Sequence, residues 1–298
     1  MKKIFLILVF FHVAILSYSQ SFKTLPGKIE AENYDAMNGI QTETTADAGG
    51  GLNVGWIDDN DWLDYHVNVP VSGMYTFRFR VAKGYADGTI EVKNSGGTVL
   101  GSVVLPTTGG WQVWGTATVL IPLTAGQQTL RIFAKYGTFN FNWFEVTGSR
   151  PVPGKFEAES YDLMSGVQTE NTQDTGSGLN VGWIDDNDWM DYNLKVDSAA
   201  TYRFQFRIAK AYGDGKIHLK NASGSLLASI DLPNTGGWQN WVTVETTATL
   251  PLGEQILRVY APNGSWNFNW FQVSKINTVP PQDTTTKPTA EATVIRFS

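Results

Sequence analysis

A stretch of fifteen residues occurs twice in this chain, 127 positions apart. The first copy, GLNVGWIDDNDWLDY, covers residues 51–65, and the second, GLNVGWIDDNDWMDY, covers residues 178–192. The two copies differ at one position, where a leucine is replaced by a methionine. Tryptophan and carboxylate side chains stack on sugars, hold metal ions or hydrolyse glycosides. The repeated stretch is therefore compatible with a sugar site, a metal site or a glycosidase site.

The repeat extends far beyond this stretch. Residues 28–146 align with residues 155–273 without a gap, and 66 of the 119 aligned positions are identical. A period of this length is too long for a solenoid repeat and fits a whole domain. The sequence therefore predicts two copies of one module, at residues 28–147 and 155–274, joined by a proline-containing connector at residues 148–154.

Each copy has the pattern of a β-protein. The segments Met74–Ala82 and Thr201–Ala209 alternate apolar and polar residues, as half-buried strands do. Further segments of this kind are separated by glycine-rich turns, and amphipathic helical patterns are absent from the sequence. We predict an all-β protein with two β-sandwich jelly-roll domains in tandem.

The two ends of the chain differ in composition from the repeats. Lys2 and Lys3 precede an apolar run and then small residues, which is the pattern of a secretory signal peptide at residues 1–19. No other apolar run is long enough to predict a membrane span in the mature chain. Residues 275–298 are predicted to be a Thr/Pro-rich linker and the start of an unknown segment. The predicted location is secreted or at the cell surface.

Charge and composition argue against two classes of function. The net charge is −6 and no basic run is present, so a nucleic-acid partner is not expected. The chain has no cysteine, and its three histidines, His12, His66 and His218, have no counterpart in the other copy. The four aspartates of the repeated stretch lie on one strand and its turn, so they do not form the facing pair that glycoside hydrolysis needs. We predict no catalytic residues within this chain.

Two features favour ligand binding, and each has a structural alternative. Glutamates two positions apart on a strand point to the same face, so Glu30 with Glu32 and Glu157 with Glu159 could converge on a hard cation or form a polar strand face. Trp111 and Trp238 lie in glycine-rich GGWQ turns. A tryptophan there either contacts a ligand or caps the core.

The ordered motifs KIEAENYDAMNGIQTE, GLNVGWIDDNDWLDY, TTGGWQVW and NFNWFEV resemble those of the family 6 carbohydrate-binding modules, and the second copy is similar. The resemblance covers nearly all of both repeats. It implies a jelly-roll β-sandwich with a structural calcium ion and a sugar site in the loops at one edge.

The resemblance also implies which residues bind the sugar. Two aromatic rings and an asparagine form the site, and a glutamate lies at its rim in some members. The corresponding residues are Trp56, Trp111, Asn140 and Glu43 in the first copy and Trp183, Trp238, Asn267 and Glu170 in the second. The family often has tyrosine at the first of these positions.

The resemblance implies one calcium ion per module. Its ligands would be Glu30, Glu32 and Asn142 in the first module and Glu157, Glu159 and Asn269 in the second. The asparagine stands where the family usually has aspartate, so each site carries one fewer negative charge. Some members use a tryptophan that corresponds to Trp62 and Trp189 in a second cleft.

The sequence thus predicts exported, non-catalytic binding of a polysaccharide of the plant or algal cell-wall type. Each module would hold the polysaccharide or its chain end between two tryptophans, and linkage of two sites would raise avidity. One alternative is the targeting part of a glycoside hydrolase or polysaccharide lyase whose catalytic domain lies beyond residue 298. Another is an adhesion or scaffold protein that uses the same fold without sugar specificity.

Overall fold

A computed structural model describes residues 21–85 and 88–276. It divides into two compact units after Gly148. The predicted signal peptide and residues 277–298 of the predicted C-terminal segment lie outside the described residues. In the part of the chain that is described, no helix is long and apolar enough to cross a membrane.

Twelve strands form the first unit within the described residues. They are β1 (Lys23–Thr24), β2 (Gly27–Glu30), β3 (Ala36–Asn38), β4 (Gln41–Thr44), β5 (Leu52–Ile57), β6 (Trp62–Val69), β7 (Gly73–Ala82), β8 (Thr89–Asn94), β9 (Val99–Val104), β10 (Trp114–Leu123), β11 (Gly126–Tyr136) and β12 (Phe139–Thr147).

These strands make two sheets of six. One has the order β1-β6-β11-β8-β9, with β3 also paired to β6, and the other has the order β10-β7-β12-β5-β4, with β2 also paired to β12. Nearly all pairs are antiparallel, and the exception in this unit is the short β1, which runs parallel to β6. The result is the predicted β-sandwich.

The core lies between the two sheets and follows from the alternation of each strand. Along β6 every second side chain, from Leu63 to Val69, is buried, while the residues between them are partly exposed. Tyr65 crosses the core to Phe144 with ring centroids 5.0 Å apart. Its hydroxyl donates to the carbonyl oxygen of Ala31 at 2.6 Å, which satisfies the polar end of a fully buried ring.

The second unit repeats this arrangement. Its elements are β13 (Arg150–Val152), β14 (Gly154–Glu157), a 3₁₀ turn (Ala158–Ser160), β15 (Leu163–Ser165), β16 (Gln168–Asn171), β17 (Leu179–Ile184), β18 (Trp189–Val196), β19 (Ala200–Ala209), β20 (Lys216–Asn221), β21 (Leu226–Asp231), β22 (Trp241–Leu250), β23 (Gly253–Asn263) and β24 (Trp266–Lys275).

Two local details differ from the sequence expectations. The stretch 148–154, predicted as a connector, contains β13, which pairs in parallel with β18, so a strand of the second sandwich begins inside it. The prediction that Glu32 extends the strand of Glu30 is wrong, because β2 ends at Glu30 and the chain turns there. In the second unit Glu159 lies in the 3₁₀ turn.

Candidate functional site

A cleft of about 350 Å³ opens at one end of the first sandwich. It is formed by β4, β5, the start of β12 and the turn that precedes β10. All four residues predicted for the first sugar site line it. The full lining is Glu43, Trp56, Ile57, Asp58, Trp111, Thr138, Phe139 and Asn140.

Trp56 stands in a bulge of β5. Val54 pairs with Phe141 and Ile57 pairs with Phe139, so β5 has one residue more than β12 between these two pairs. Trp56 accommodates this extra residue by adopting the left-handed backbone conformation, with φ of 51°. A bulky side chain there is strained by roughly 1–2 kcal/mol. The bulge turns the indole outward, where it is 54% exposed.

Trp111 belongs to the turn before β10 and is 38% exposed. Neither predicted indole is therefore buried in the core. The turn is fastened to the end of β7 because Lys83 N donates to Thr108 Oγ1 at 2.7 Å, and Thr108 N donates to Lys83 O at 2.9 Å. The position of the Trp111 ring is thus set by two loops together.

Glu43 is the centre of a hydrogen-bond network at the floor of the cleft. Its Oε1 accepts from Asn140 Nδ2 at 2.7 Å, from Gln112 Nε2 at 2.9 Å and from Asn53 Nδ2 at 3.2 Å. Asn140 also donates to the carbonyl oxygen of Trp111 at 2.8 Å. The carboxylate is therefore fixed by hydrogen bonds from three side-chain amides.

Gly55 makes room for this network. A Cβ atom at this position would lie 2.9 Å from Asn140 Oδ1 and 3.5 Å from Glu43 Oε1. The first of these distances is too short for a carbon–oxygen contact. The glycine before Trp56 is required because the Asn140 amide approaches the backbone so closely.

The second sandwich has a matching cleft of about 360 Å³. Trp183 repeats the left-handed conformation with φ of 50° and the exposure of 54%. Glu170 Oε1 accepts from Asn267, Gln239 and Asn180 at 2.8, 3.0 and 3.2 Å. The lining is Glu170, Trp183, Ile184, Asp185, Tyr212, Trp238, Ser265, Trp266 and Asn267.

Sequence reasoning missed several residues of the site. Gln112 bridges Glu43 and Asn53, and its Oε1 accepts from Ala46 N at 2.8 Å. Tyr85 packs edge-to-face against Trp111, with centroids 5.5 Å apart. The signal was present, since both residues recur 127 positions later as Gln239 and Tyr212.

The aspartates of the repeated stretch shape its turn. Asp61 Oδ2 accepts from Asp58 N at 2.8 Å, and Asp59 Oδ1 accepts from Gly137 N at 2.7 Å. Asp64 is held by Arg131, whose Nε lies 2.7 Å from Oδ1. Three of the four carboxylates thus cap or pair locally, and only Asp58 lines the cleft.

Trp62, which could have formed a second cleft, is covered by a charged side chain. The Arg131 guanidinium lies 3.8 Å from the centroid of the Trp62 ring, and Asp64 fixes it in place. In the second sandwich Arg258 covers Trp189 at 3.9 Å and pairs with Asp191. One face of each ring is therefore occupied within the protein.

The residues predicted as calcium ligands lie at the start of each sandwich and on its last strand. Glu32 Oε2 is buried and has no hydrogen-bond partner among the residues that the structure describes, and the same is true of Glu159 Oε2. Burial raises the pKa of both carboxyls, and the neighbouring Glu30 or Glu157 raises it further. A buried carboxylate oxygen without a partner is costly unless a cation compensates it, so these glutamates fit a bound calcium.

Asn142 and Asn269 are tied to a neighbouring ion pair. Asn142 Nδ2 donates to Asp47 Oδ2 at 2.8 Å, and Arg80 holds the same aspartate through two further bonds. Among the described residues no group of three or more histidine, cysteine or acidic side chains gathers at one point. Each calcium site would therefore rest on two glutamates and an amide oxygen.

Comparison with protein families identifies the family of this chain. The model of the carbohydrate-binding module family 6 matches residues 30–148 and again residues 157–275. The chain belongs to this family. It is a tandem pair of family 6 carbohydrate-binding modules, and modules of this family bind carbohydrate without catalysing a reaction.

Relatives include both an animal protein and bacterial enzymes. The chain is 35% identical to the clotting factor G alpha subunit of Tachypleus tridentatus over 271 residues, which are 87% of this chain and 40% of that protein. It is 26% identical to endo-1,4-beta-xylanase A of Thermoclostridium stercorarium over 84% of this chain and 51% of that enzyme. The chain thus spans about half or less of these relatives.

Among solved structures, one neighbour is titled a beta-1,3-glucan binding family 6 module from Bacillus halodurans. It is 40% identical, covers 43% of this chain and 100% of its own, and has a TM-score of 0.41. A family 6 module from Cellvibrio mixtus lichenase 5A, solved with cellotriose, is 36% identical, covers 42% of this chain and 99% of its own, and has a TM-score of 0.41.

Proposed function

We propose that each module binds a polysaccharide in the cleft between its two exposed tryptophans. The observation that carries this proposal is the pairing of Trp56 and Trp111 around one cleft whose floor is the Asn140–Glu43 hydrogen bond. Indole faces stack on the C–H surface of a pyranose, and the amide oxygen and the carboxylate accept hydrogen bonds from its hydroxyls. Trp183 and Trp238 do the same in the second module.

The strain at Trp56 and Trp183 supports this role. Glycine would adopt their backbone conformation without strain, and the two rings are more than half exposed, so their contribution to the core is small. Strained residues with exposed side chains persist where a function needs them. Outward display of the indole is such a function.

We propose a neutral glycan as the substrate class. The first cleft is lined by two acidic residues, Glu43 and Asp58, and by no cationic residue among those described. The second has Glu170 and Asp185 in the same places. Uronate or sulfate groups would meet like charges in the cleft, which disfavours their binding.

Two equivalent sites on one chain would raise its affinity for a polymer. A single open cleft of this size forms few contacts, so each module alone binds weakly. Linkage of two sites raises avidity by about 10²–10⁴ when both can engage one polymer. We therefore propose that the pair acts as an adhesive unit on an insoluble or long polysaccharide.

Calcium is proposed as a structural ion in each module. Its ligands would be Glu30, Glu32 and Asn142 in the first module. In the second module they would be Glu157, Glu159 and Asn269. The ion would compensate the buried carboxylate oxygens and tie the first strand region to the last strand. None of these residues is in the described cleft linings, so the role proposed for the ion is stability.

Export to the cell exterior is part of the proposal, supported by the signal-peptide pattern at the N-terminus. An attached catalytic domain is the second candidate context. The match to the xylanase covers 51% of that enzyme, so such modules accompany further segments there.

The proposal is tested by binding to a panel of β-glucans, xylan, agarose and acidic polysaccharides. We expect retention of the wild-type chain on at least one neutral polymer and loss of retention in the variant with Trp111→Ala and Trp238→Ala. Trp143→Ala with Trp270→Ala, which removes tryptophans outside the clefts, is the matched control. Release of new reducing ends by the purified chain would overturn the non-catalytic assignment.

A further inference from the structure

Tyr85 and Tyr212 are large aromatic residues with no evident role in the fold. They are 65% and 64% exposed. Among the described residues, neither phenol hydroxyl has a hydrogen-bond partner. Exposed aromatic residues at equivalent positions of both modules contribute little to stability.

Both tyrosines lie against a tryptophan of the cleft. Tyr85 meets Trp111 at an interplanar angle of 79°, and Tyr212 meets Trp238 at 76° with centroids 5.2 Å apart. Tyr212 is itself part of the cleft lining. In each module the two rings make a corner of two nearly perpendicular aromatic planes.

The corner is held together by the backbone. Lys83 and Thr108 exchange hydrogen bonds between the loop of Tyr85 and the turn of Trp111, as described above. Lys210 and Thr235 do the same in the second module, at 2.9 and 2.8 Å. Tyrosine and tryptophan are thus presented as one preorganised surface, which lowers the entropic cost of binding.

We propose that Tyr85 and Tyr212 form an additional carbohydrate subsite, which contacts the sugar unit next to the one stacked on Trp111 or Trp238. This inference rests on the proposed function. A ring perpendicular to the indole cannot stack on the same sugar face. It meets the neighbouring unit, where its face packs on C–H groups and its free hydroxyl bonds to a sugar hydroxyl.

A structural alternative makes a different prediction. If the tyrosine only supports the tryptophan ring, its removal weakens the binding of short and long oligosaccharides equally. If it contacts the adjacent unit, its removal weakens only ligands long enough to reach it. The ratio of the affinities for a short and a long ligand therefore separates the two roles.

The experiment uses methyl glycosides of the single sugar units and hexasaccharides derived from β-1,3-glucan, β-1,4-glucan, xylan and agarose, titrated into the full chain by calorimetry or NMR. In the series that the wild-type chain binds, Tyr85→Ala with Tyr212→Ala should weaken hexasaccharide binding about two- to tenfold and leave binding of the single-unit glycoside unchanged. Tyr85→Phe with Tyr212→Phe keeps the rings and removes the hydroxyls, so this variant should lose less hexasaccharide affinity than the alanine variant.

An equal loss for both lengths, or no loss for either, would overturn the subsite. Unchanged melting of the variants shows that the fold is intact, as the exposure of the tyrosines leads us to expect. If the wild-type chain binds none of the four series, the proposed function fails and this inference fails with it.

Discussion

Asn140 donates a hydrogen bond of 2.7 Å from Nδ2 to Oε1 of Glu43, and thereby joins residues 97 positions apart at the floor of the first cleft. Asn267 and Glu170 repeat the bond at 2.8 Å. Because this pair lies between the two tryptophans, its charge and geometry affect both stability and binding.

Asn140→Asp with Asn267→Asp should lower stability at pH 7 by about 1–3 kcal/mol and abolish polysaccharide binding, because two carboxylates would then face each other. Stability should recover in part near pH 4, when one carboxyl is protonated. Addition of Glu43→Gln and Glu170→Gln restores a carboxylate–amide pair and should recover part of the lost stability at pH 7, because the bonds to the Trp111 and Trp238 carbonyl oxygens stay lost. Thermal unfolding measures this, and failure of that rescue would contradict the charge argument.

Gly55→Ala with Gly182→Ala should destabilise the modules by about 1–3 kcal/mol and weaken binding, because the new Cβ would press on the Asn140 and Asn267 amides. Chemical denaturation gives the stability. Gly148→Ala is the control, since a Cβ there meets its nearest neighbour at an ordinary 3.6 Å. Equal effects of the two substitutions would refute the close-approach explanation.

Trp56 offers a test of backbone strain against function. At an ordinary position alanine is more stabilising than glycine. Because Trp56 has φ of 51°, we expect the opposite order, with Trp56→Gly more stable than Trp56→Ala by about 1 kcal/mol. Both variants should lose binding in the first module, measured in a chain whose second cleft is disabled by Trp183→Ala and Trp238→Ala. A more stable alanine variant would show that the position is unstrained.

Asp174 predicts an acid-dependent loss of stability. Hydrogen bonding from the Arg207 guanidinium lowers the pKa of Asp174 to about 2, from an ordinary 3.8. A lowered folded-state pKa stabilises the protein above the unfolded value, and this contribution is lost as the pH falls from about 4 to 2. Asp174→Asn should remove a pH-dependent contribution on the order of 2 kcal/mol from that window. Urea unfolding at pH 2, 3, 4 and 6 measures it.

Calcium removal should destabilise the wild-type chain and leave a variant without the two partly buried glutamates unaffected. A chelator should lower the melting temperature of the wild-type chain by about 5 °C or more, because the ion stabilises the folded state only. Glu32→Gln with Glu159→Gln should be insensitive to the chelator. It should melt above the metal-free wild type at pH 7, because it removes two partly buried carboxylates, each with one buried oxygen and a pKa raised by burial. The calcium proposal would be refuted if elemental analysis found no metal and the chelator did not change the melting temperature.

Much of the fold follows from the sequence because the repeat is gapless. Strand alternation and the matched glycine turns predict the β-sandwich, and the structure confirms it. The four residues expected at each cleft are brought together, although Glu43 and Asn140 are far apart in the chain. Their role in binding stays a prediction.

Other features could not be predicted, because they depend on loop geometry. Tyr85 meets Trp111 because the Lys83–Thr108 bonds join their two loops. Gln112 reaches Glu43 only because the turn before β10 folds over β4. The strand argument for Glu32 failed because alternation continues only while the strand does, and β2 ends at Glu30.

The likeness of the two clefts has a consequence for how such a chain changes through evolution. Under the proposed function, a mutation in one half leaves the other able to bind, so a new glycan preference can be sampled without loss of the old one. The clefts differ in their lining at Phe139 and Trp266, which occupy equivalent places. Divergence of the two halves could proceed from that position while the shared tryptophan pair is kept.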